Sequence, residues 1–185
     1  MNVYPFPDKV SAQNELSKDI QRDKVPEKDR ECISNRAWET GVEMAYAVLK
    51  QYPGKDIYQI ASLEGIQVER RDVDKVSGGA RYFAEYYAGR KTVFLYSQSI
   101  RQWAEANQLS QHEAEELILA HELFHHYECT RIGKTSEQYQ VPRIQLGAIK
   151  LGKTGILALS EIGAYGFSYT WFYEKDTNLS ESNDS

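Results

Sequence analysis

The chain has 185 residues, 41% of them hydrophobic and 26% charged, and its formal net charge is −5. This profile predicts one soluble globular domain that is large enough to bury a core of its own. The acidic balance, with basic residues scattered along the chain, argues against direct binding of nucleic acid.

The N-terminal part is predicted to be a polar arm followed by two helices. Residues 1–30 are mixed in charge, and their start, MNVYPFPDKV, lacks the apolar run of a signal peptide. We expect an irregular arm there, with room for a short helix. In residues 31–50, apolar side chains recur every three or four positions, which predicts an amphipathic helix ended by Pro53-Gly54. A second helix is predicted over residues 57–65.

A short strand and a hairpin are predicted next. Ile66–Arg70 forms the strand, and Gly78-Gly79 then breaks the chain. The stretches ARYFAEYY and RKTVFLYS are rich in Tyr, Phe and Val, and they predict an antiparallel hairpin around Ala88-Gly89. The strand Lys91–Ser97 either presents an open edge to an extended peptide or pairs only within the sheet, and the sequence favours neither.

Two helices are predicted in the C-terminal half. Ser110-Gln111-His112-Glu113 has the S-x-x-E form of a capping box, and helical spacing then continues as far as Gly133. Residues 134–154 contain several glycines and are predicted to be irregular. The final helix is predicted over Gly155–Tyr173, where Glu161 is the single charge. Glycine, serine and tyrosine in this segment favour a buried helix over a membrane span.

The remaining features concern the tail and the location of the protein. Residues 174–185 have almost nothing to bury and are predicted to be disordered, which leaves one domain over residues 31–173. Cys32 and Cys129 form no CxxC pattern, and two cysteines are too few for the disulfide bonds that stabilise a small secreted domain. We therefore expect reduced thiols in a cytoplasmic protein.

The motif His121-Glu122-x-x-His125 carries the chemistry of the chain. Residues four apart lie on one helix face, so both imidazoles can direct a nitrogen to one Zn²⁺ ion at about 2.0–2.1 Å. Glu122 is rotated by about 100° from His121, which lets it take a proton from an activated water molecule. The alternative is a chance match on an exposed helix.

A site with two histidines needs a third ligand. Glu161 is the best candidate, because an unpaired carboxylate in an apolar helix is unfavourable and a metal compensates it. The alternative is that Glu161 faces solvent or pairs with Lys153. Glu128 and Cys129 are rivals, but they lie on the histidines' own helix, where residues spread over about 10 Å cannot all meet one ion.

Three further side chains are weaker candidates for a functional role. His126 follows His125 and lies off the metal face, so we expect it to be partly exposed or hydrogen-bonded. His112 is expected at the surface. Tyr165, close to Glu161 in sequence, is a candidate donor to the oxyanion of a peptidase reaction.

The order of these motifs resembles the ImmA/IrrE family of zinc metallopeptidases, which are relatives of the thermolysin-like gluzincins. The resemblance covers roughly residues 36–173 and is carried by LEGIQVERRD, SGGARYFAEYYAGRKTVFLYS, LILAHELFHH and SEIGAYGFSYTWF. In the last segment, four residues fall on the family's spacing: Glu161, Ala164, Phe167 and Ser168. Phe124 departs from the glycine that many members have before the second histidine, and the final helix lacks a Leu-rich ending with Met-Pro.

This resemblance implies an α+β, zincin-like fold with N-terminal helices, a small sheet with a hairpin, an active-site helix and a C-terminal helix. It implies one zinc ion held by His121, His125 and Glu161, with Glu122 as general base. It also implies a cytoplasmic endopeptidase of narrow specificity that cleaves a helix-turn-helix repressor and is often linked to mobile elements.

Two other classes of protein remain open. One is a non-catalytic, zinc-containing regulatory or binding protein, similar to an antitoxin. The intact Glu122 argues against this class, because a protein that only binds needs the ligands alone. The other is a helical structural protein without a metal, for which the order of the motifs would be accidental.

Overall fold

A computed structural model describes residues 4–147 and 149–181 of the chain. Its helices are α1 (Glu15–Lys18), α2 (Glu27–Gln51), α3 (Ile57–Leu63), α4 (Ser97–Ala106), α5 (Gln111–Tyr127) and α6 (Ala158–Glu181). Its strands are β1 (Gln67–Arg71), β2 (Lys75–Ser77), β3 (Ala80–Tyr82), β4 (Ala84–Tyr87), β5 (Thr92–Tyr96), β6 (Gln140–Leu146) and β7 (Ile149–Gly155). The α+β class is therefore confirmed.

The main sheet has three strands in the order β1-β5-β4. The predicted hairpin is present as β4 and β5, which pair antiparallel, and β1 pairs parallel with β5 on its other side. The segment ARYFAEYY divides at Phe83, because β3 pairs with β2 across the Gly78-Gly79 turn. Since β5 is paired on both sides, the alternative of an open edge at Lys91–Ser97 is wrong, and β1 and β4 are the two edge strands.

The stretch predicted to be irregular, residues 134–154, contains a second hairpin. Strands β6 and β7 pair antiparallel, with Gly147 in the left-handed region at φ 58° in the connecting turn. Gly147 therefore serves the turn, while Gly152 and Gly155 lie within β7.

Both chain ends are more ordered than predicted. The N-terminal arm buries Tyr4, Ala12, Leu16 and Val25, and α2 already begins at Glu27. At the other end, α6 continues to Glu181 through the first part of the predicted tail, while residues 182–185 lie outside the described part of the chain.

The core lies where three helices meet the sheet. Helix α5 packs on α6, on α4 and on strands β4 and β5, and α6 in turn packs along α2. The contact of α2 with α6 is close, because a Cβ built on Gly41 would lie 1.9 Å from the carbonyl oxygen of Gly163. The packing of α6 on both α2 and α5 holds α5 and α6 side by side. A metal site shared between α5 and α6 depends on this arrangement. Residues 97–106, for which the sequence predicts no helix or strand, form α4.

Within the described ranges, no helix is both long enough and apolar enough to cross a membrane. Cys32 and Cys129 are exposed free thiols.

Candidate metal centre

Helix α5 begins with the capping box that the sequence predicts. The Ser110 hydroxyl accepts from the backbone N–H of Glu113 at 3.2 Å, and the Glu113 carboxylate accepts from the backbone N–H of Ser110 at 2.9 Å. These bonds satisfy amide groups that a helix start otherwise leaves unpaired. The helix continues as one π-helical turn, Glu128–Ile132, and ends at Gly133, where φ is 76°.

The structure brings His121, His125 and Glu161 together. The Nε2 atom of His121 lies 3.2 Å from Oε2 of Glu161, and the Nε2 atom of His125 lies 3.7 Å from Oε1. The ligand atoms of all three residues lie within 4.8 Å of one another. Two donors bound at about 2.1 Å in a tetrahedral site are about 3.4 Å apart, so small side-chain movements would fit one zinc ion.

Glu161 lies in the first turn of α6 and faces the two histidines rather than Lys153. Its side chain is 46% exposed, so it opens onto the cleft and is not enclosed in the core. Burial disfavours its charge, but the hydrogen bond with His121 and the charges of both histidines outweigh this and lower its pKa to about 2. The carboxylate is therefore held in the ionised form that binds metals.

Glu128, the rival ligand, contacts the other side of the His125 ring. Its Oε2 atom lies 3.0 Å from Nδ1 of His125 and also accepts from the Ser160 hydroxyl, while Oε1 accepts from the Thr135 N–H at 2.8 Å. Burial alone would raise the pKa of Glu128, but these hydrogen bonds lower it. An ionised Glu128 on the Nδ1 side orients the His125 ring with Nε2 toward Glu161.

The ring of His121 is held by packing. Its imidazole lies 5.8 Å from the ring of Phe6 and 5.2 Å from the ring of Tyr165, measured between centroids. Its Nδ1 atom is buried and has no hydrogen-bond partner among the described residues. The orientation of His121 therefore depends on aromatic contacts and on the contact of Nε2 with Glu161, whereas His125 also has a carboxylate on its Nδ1 side.

Glu122 lies on the cleft wall and is 8% exposed. Burial raises the pKa of its carboxyl group, and the nearby charges of His125 and His121 oppose this rise. A raised pKa brings a carboxylate closer to the range in which it both accepts and returns a proton near neutral pH.

The surroundings of His126 are not predicted by the sequence. This residue is 1% exposed, and its Nδ1 atom is hydrogen-bonded to the Tyr86 hydroxyl at 2.8 Å. Its Nε2 atom lies 3.7 Å from Glu64, which also binds Arg131. His126 is thus a hydrogen-bonded residue that ties edge strand β4 to α5, and no local sequence signal marks Glu64 or Tyr86 as its partners. His112 is exposed, as predicted.

A cleft runs between β4 and the start of α6 and exposes the three candidate ligands and Glu122. Tyr165 lies on its wall, close to Glu161. Cys129, Lys134 and Ser136 border the cleft beyond His125.

No protein-family model, curated protein or solved structure matches this chain. The fold and the site must therefore be interpreted from their own geometry.

Proposed function

We propose that the protein is a zinc-dependent endopeptidase with a zincin-like fold, of the kind that the resemblance to the ImmA/IrrE family implies. The observation that carries this proposal is the convergence of His121, His125 and Glu161 from two helices. Two imidazoles and one carboxylate are a donor set typical of catalytic zinc, which keeps a further position open. When bound, zinc would act as a Lewis acid toward the peptide carbonyl and would lower the pKa of water.

The other steps of the proposed reaction are assigned to side chains of the protein. Glu122 removes a proton from the attacking water as the water oxygen bonds to the carbonyl carbon. The C–N bond then breaks, and Glu122 returns the proton to the leaving amine. Glu128 holds the His125 ring in place, and the Tyr165 hydroxyl is a candidate donor to the oxyanion.

The edge strand supports a polypeptide substrate. Strand β4 lies beside α5, borders the cleft and pairs with β5 on one side only. An extended peptide can add to such an edge through its main chain, which brings a peptide bond to the metal side of the cleft. A helix-turn-helix repressor is the substrate class that we propose, in a cytoplasmic setting, without direct contact to DNA or membrane.

The metal content of the purified chain tests the site. We expect one zinc ion per chain in the wild type and loss of zinc in His121→Ala and in Glu161→Gln. His112→Ala is the matched control, because His112 is exposed and starts the same helix. Full zinc content in Glu161→Gln would remove Glu161 from the ligand set.

Cleavage separates an enzyme from a non-catalytic zinc protein. The probe is a helix-turn-helix repressor, the substrate class that we propose, incubated with the zinc-loaded chain and analysed by mass spectrometry. We expect the wild type to cut it at one position and Glu122→Gln, with zinc still bound, to leave it intact. Binding of the repressor without cleavage by the wild type would favour the antitoxin-like regulatory protein instead.

A further inference from the structure

The N-terminal segment, defined as Tyr4–Pro7, is anchored beside the candidate metal centre. Tyr4 is 8% exposed, and its hydroxyl donates to the backbone carbonyl of Tyr165 at 3.2 Å. Its ring packs against Tyr169 and Phe172 of α6, at centroid distances of 5.1 and 5.5 Å. The segment is therefore fixed to the same helix that supplies Glu161.

Phe6 extends from this segment to the wall of the cleft. Its ring stacks on Trp103 of α4 at 4.7 Å, and its other neighbours are Tyr165 at 5.7 Å and His121 at 5.8 Å. Phe6 is only half-buried. Because Trp103 supports one face of the ring and does not border the cleft, the remaining surface of Phe6 is available to a ligand.

The cleft lining is mainly apolar around His121 and more polar around His125, and Arg81 and Leu157 also border it. Ile118, Phe83 and Phe6 border it on the N-terminal side of the histidines, near His121 and Tyr165. Glu128, Ser160 and Lys134 border it on the other side, near His125. Strand β4 runs along the cleft in the same direction. Phe83, just before the strand, packs on Trp103, and Tyr86, within it, is hydrogen-bonded to His126.

We infer that Phe6 is a specificity-determining residue of the peptidase, and this inference rests on the proposed function. Together with Phe83, Ile118 and Tyr165, it forms a subsite beside His121 for an aromatic or branched aliphatic side chain of the substrate residue next to the cleaved bond. Half-exposed aromatic rings in a cleft gain contact area and offset stacking when an apolar side chain covers them. The arm that precedes the domain thus forms part of the substrate site.

Two hydroxamates that share a zinc-binding group test this subsite. Acetohydroxamate carries a methyl group, and 3-phenylpropionohydroxamate carries a phenylethyl group that can reach Phe6. With the zinc-loaded full chain, we expect the phenyl compound to bind about tenfold more tightly by calorimetry. Phe6→Ala should remove most of this preference, which is a ratio of two affinities, so that any effect of Phe6 on His121 is shared by both compounds and cancels.

Leu16→Ala is the matched control, because Leu16 is a buried residue of the arm outside the cleft. It should keep the preference for the phenyl compound. An equal preference in wild type and Phe6→Ala would overturn the inference, and so would equal losses in Phe6→Ala and Leu16→Ala.

A measurement without metal separates failure of the subsite from failure of the proposed function. The probes are N-acetyl-phenylalanine amide and N-acetyl-alanine amide, titrated into the zinc-free chain and followed by NMR. We expect only the phenylalanine amide to shift the signals of the Ile118 methyl groups and the Trp103 indole N–H, and Phe6→Ala to weaken these shifts. Unchanged signals with both amides would overturn the subsite, whether or not the chain binds zinc.

Discussion

The Nδ1 atom of His125 lies 3.0 Å from the Glu128 carboxylate, while the Nε2 atom of the same ring faces Glu161 at 3.7 Å. The two carboxylates therefore occupy opposite sides of one imidazole. A buried acceptor on Nδ1 keeps the proton there, leaves Nε2 free for a metal and makes the ring a better ligand.

Replacing Glu128 should weaken zinc binding without removing a ligand. For Glu128→Gln we expect an affinity about ten- to a hundredfold lower, since the neutral amide is a poorer acceptor for His125. Competition with a chromogenic chelator measures this affinity. Glu105→Gln, an exposed acid on α4, is the control and should leave the affinity unchanged. Wild-type affinity in Glu128→Gln would show that the carboxylate does not support the metal site.

Zinc should also stabilise the fold, because the candidate ligands join α5 to α6. At free zinc one hundred times the dissociation constant, binding adds about 2.7 kcal/mol, which corresponds to an increase in Tm of about 5–10 °C. Thermal unfolding with zinc and with a chelator measures the difference. His112→Ala should keep the increase and His121→Ala should lose it. The same increase in His121→Ala would mean that zinc binds elsewhere.

The sequence predicts those parts of the fold whose signals are local. The capping box at Ser110 and the periodicity of α2 depend on neighbouring residues, and both are present in the structure. The β6–β7 hairpin was missed because glycines obscure its alternation. Strand β5 is central and not an edge, because β1 pairs with it from a distant position. Pairing between remote segments leaves no periodicity in either of them.

The residues of the candidate site also differ in whether a local sequence signal predicts them. The spacing of His121 and His125 predicts a shared helix face from sequence alone. Proximity of Glu161 could be inferred from its being a lone charge in an apolar segment and from the resemblance in motif order, but not from spacing to the histidines. Phe6 approaches His121 across 115 positions of the chain, and only the packing of the arm on α6 brings it there.

The N-terminal half of α5 is held by an ion pair that is independent of the metal. Glu115 is 4% exposed and accepts from Arg70 at 2.9 Å, from Tyr58 at 3.0 Å and from Gln111 at 3.1 Å. The Arg70 side chain is 52% exposed. Burial alone would raise the pKa of Glu115, but these hydrogen bonds lower it.

Removing either partner of this pair should have unequal effects. Arg70→Met leaves a buried carboxylate without its cation and should destabilise the protein by about 2 kcal/mol. Glu115→Gln leaves a guanidinium that water can solvate and should cost about 1 kcal/mol. Urea denaturation at neutral pH measures both values, with Arg101→Met, an exposed arginine on α4, as the control. A larger loss in Glu115→Gln would contradict the prediction.

The pH dependence of Arg70→Met follows from the same pair. In the wild type, the lowered pKa of Glu115 contributes stability above the unfolded pKa of a glutamate, and this contribution is lost as the pH falls through the folded pKa. Without Arg70, burial dominates and the folded pKa rises, so protonation favours the folded variant. The difference between the two proteins should therefore shrink between about pH 7 and about pH 4. A constant difference over this range would mean that Glu115 is not the group responsible.

Phe124 packs against Gly163, a glycine of α6. At the position of Phe124, many proteins of the ImmA/IrrE family, which the motif order resembles, have glycine. A Cβ built on Gly163 would lie 2.6 Å from Cζ of Phe124, so the two residues complement each other in size. Phe124 precedes His125, and Gly163 follows Glu161 by two positions, so this contact lies between the helix segments that carry two candidate ligands.

A double-mutant cycle tests this complementarity. Gly163→Ala should destabilise the wild type by about 2 kcal/mol through overpacking, and it should also reduce zinc affinity by moving α6 away from α5. In a Phe124→Leu background the same change should cost less than about 1 kcal/mol, because the ring is gone and only the carbonyl oxygen of Ala37, at 3.3 Å, remains close. Gly89→Ala is the control, since a Cβ there meets no atom within 4 Å. Equal costs of Gly163→Ala in both backgrounds, measured by urea denaturation, would show that Phe124 does not limit the approach of the two helices.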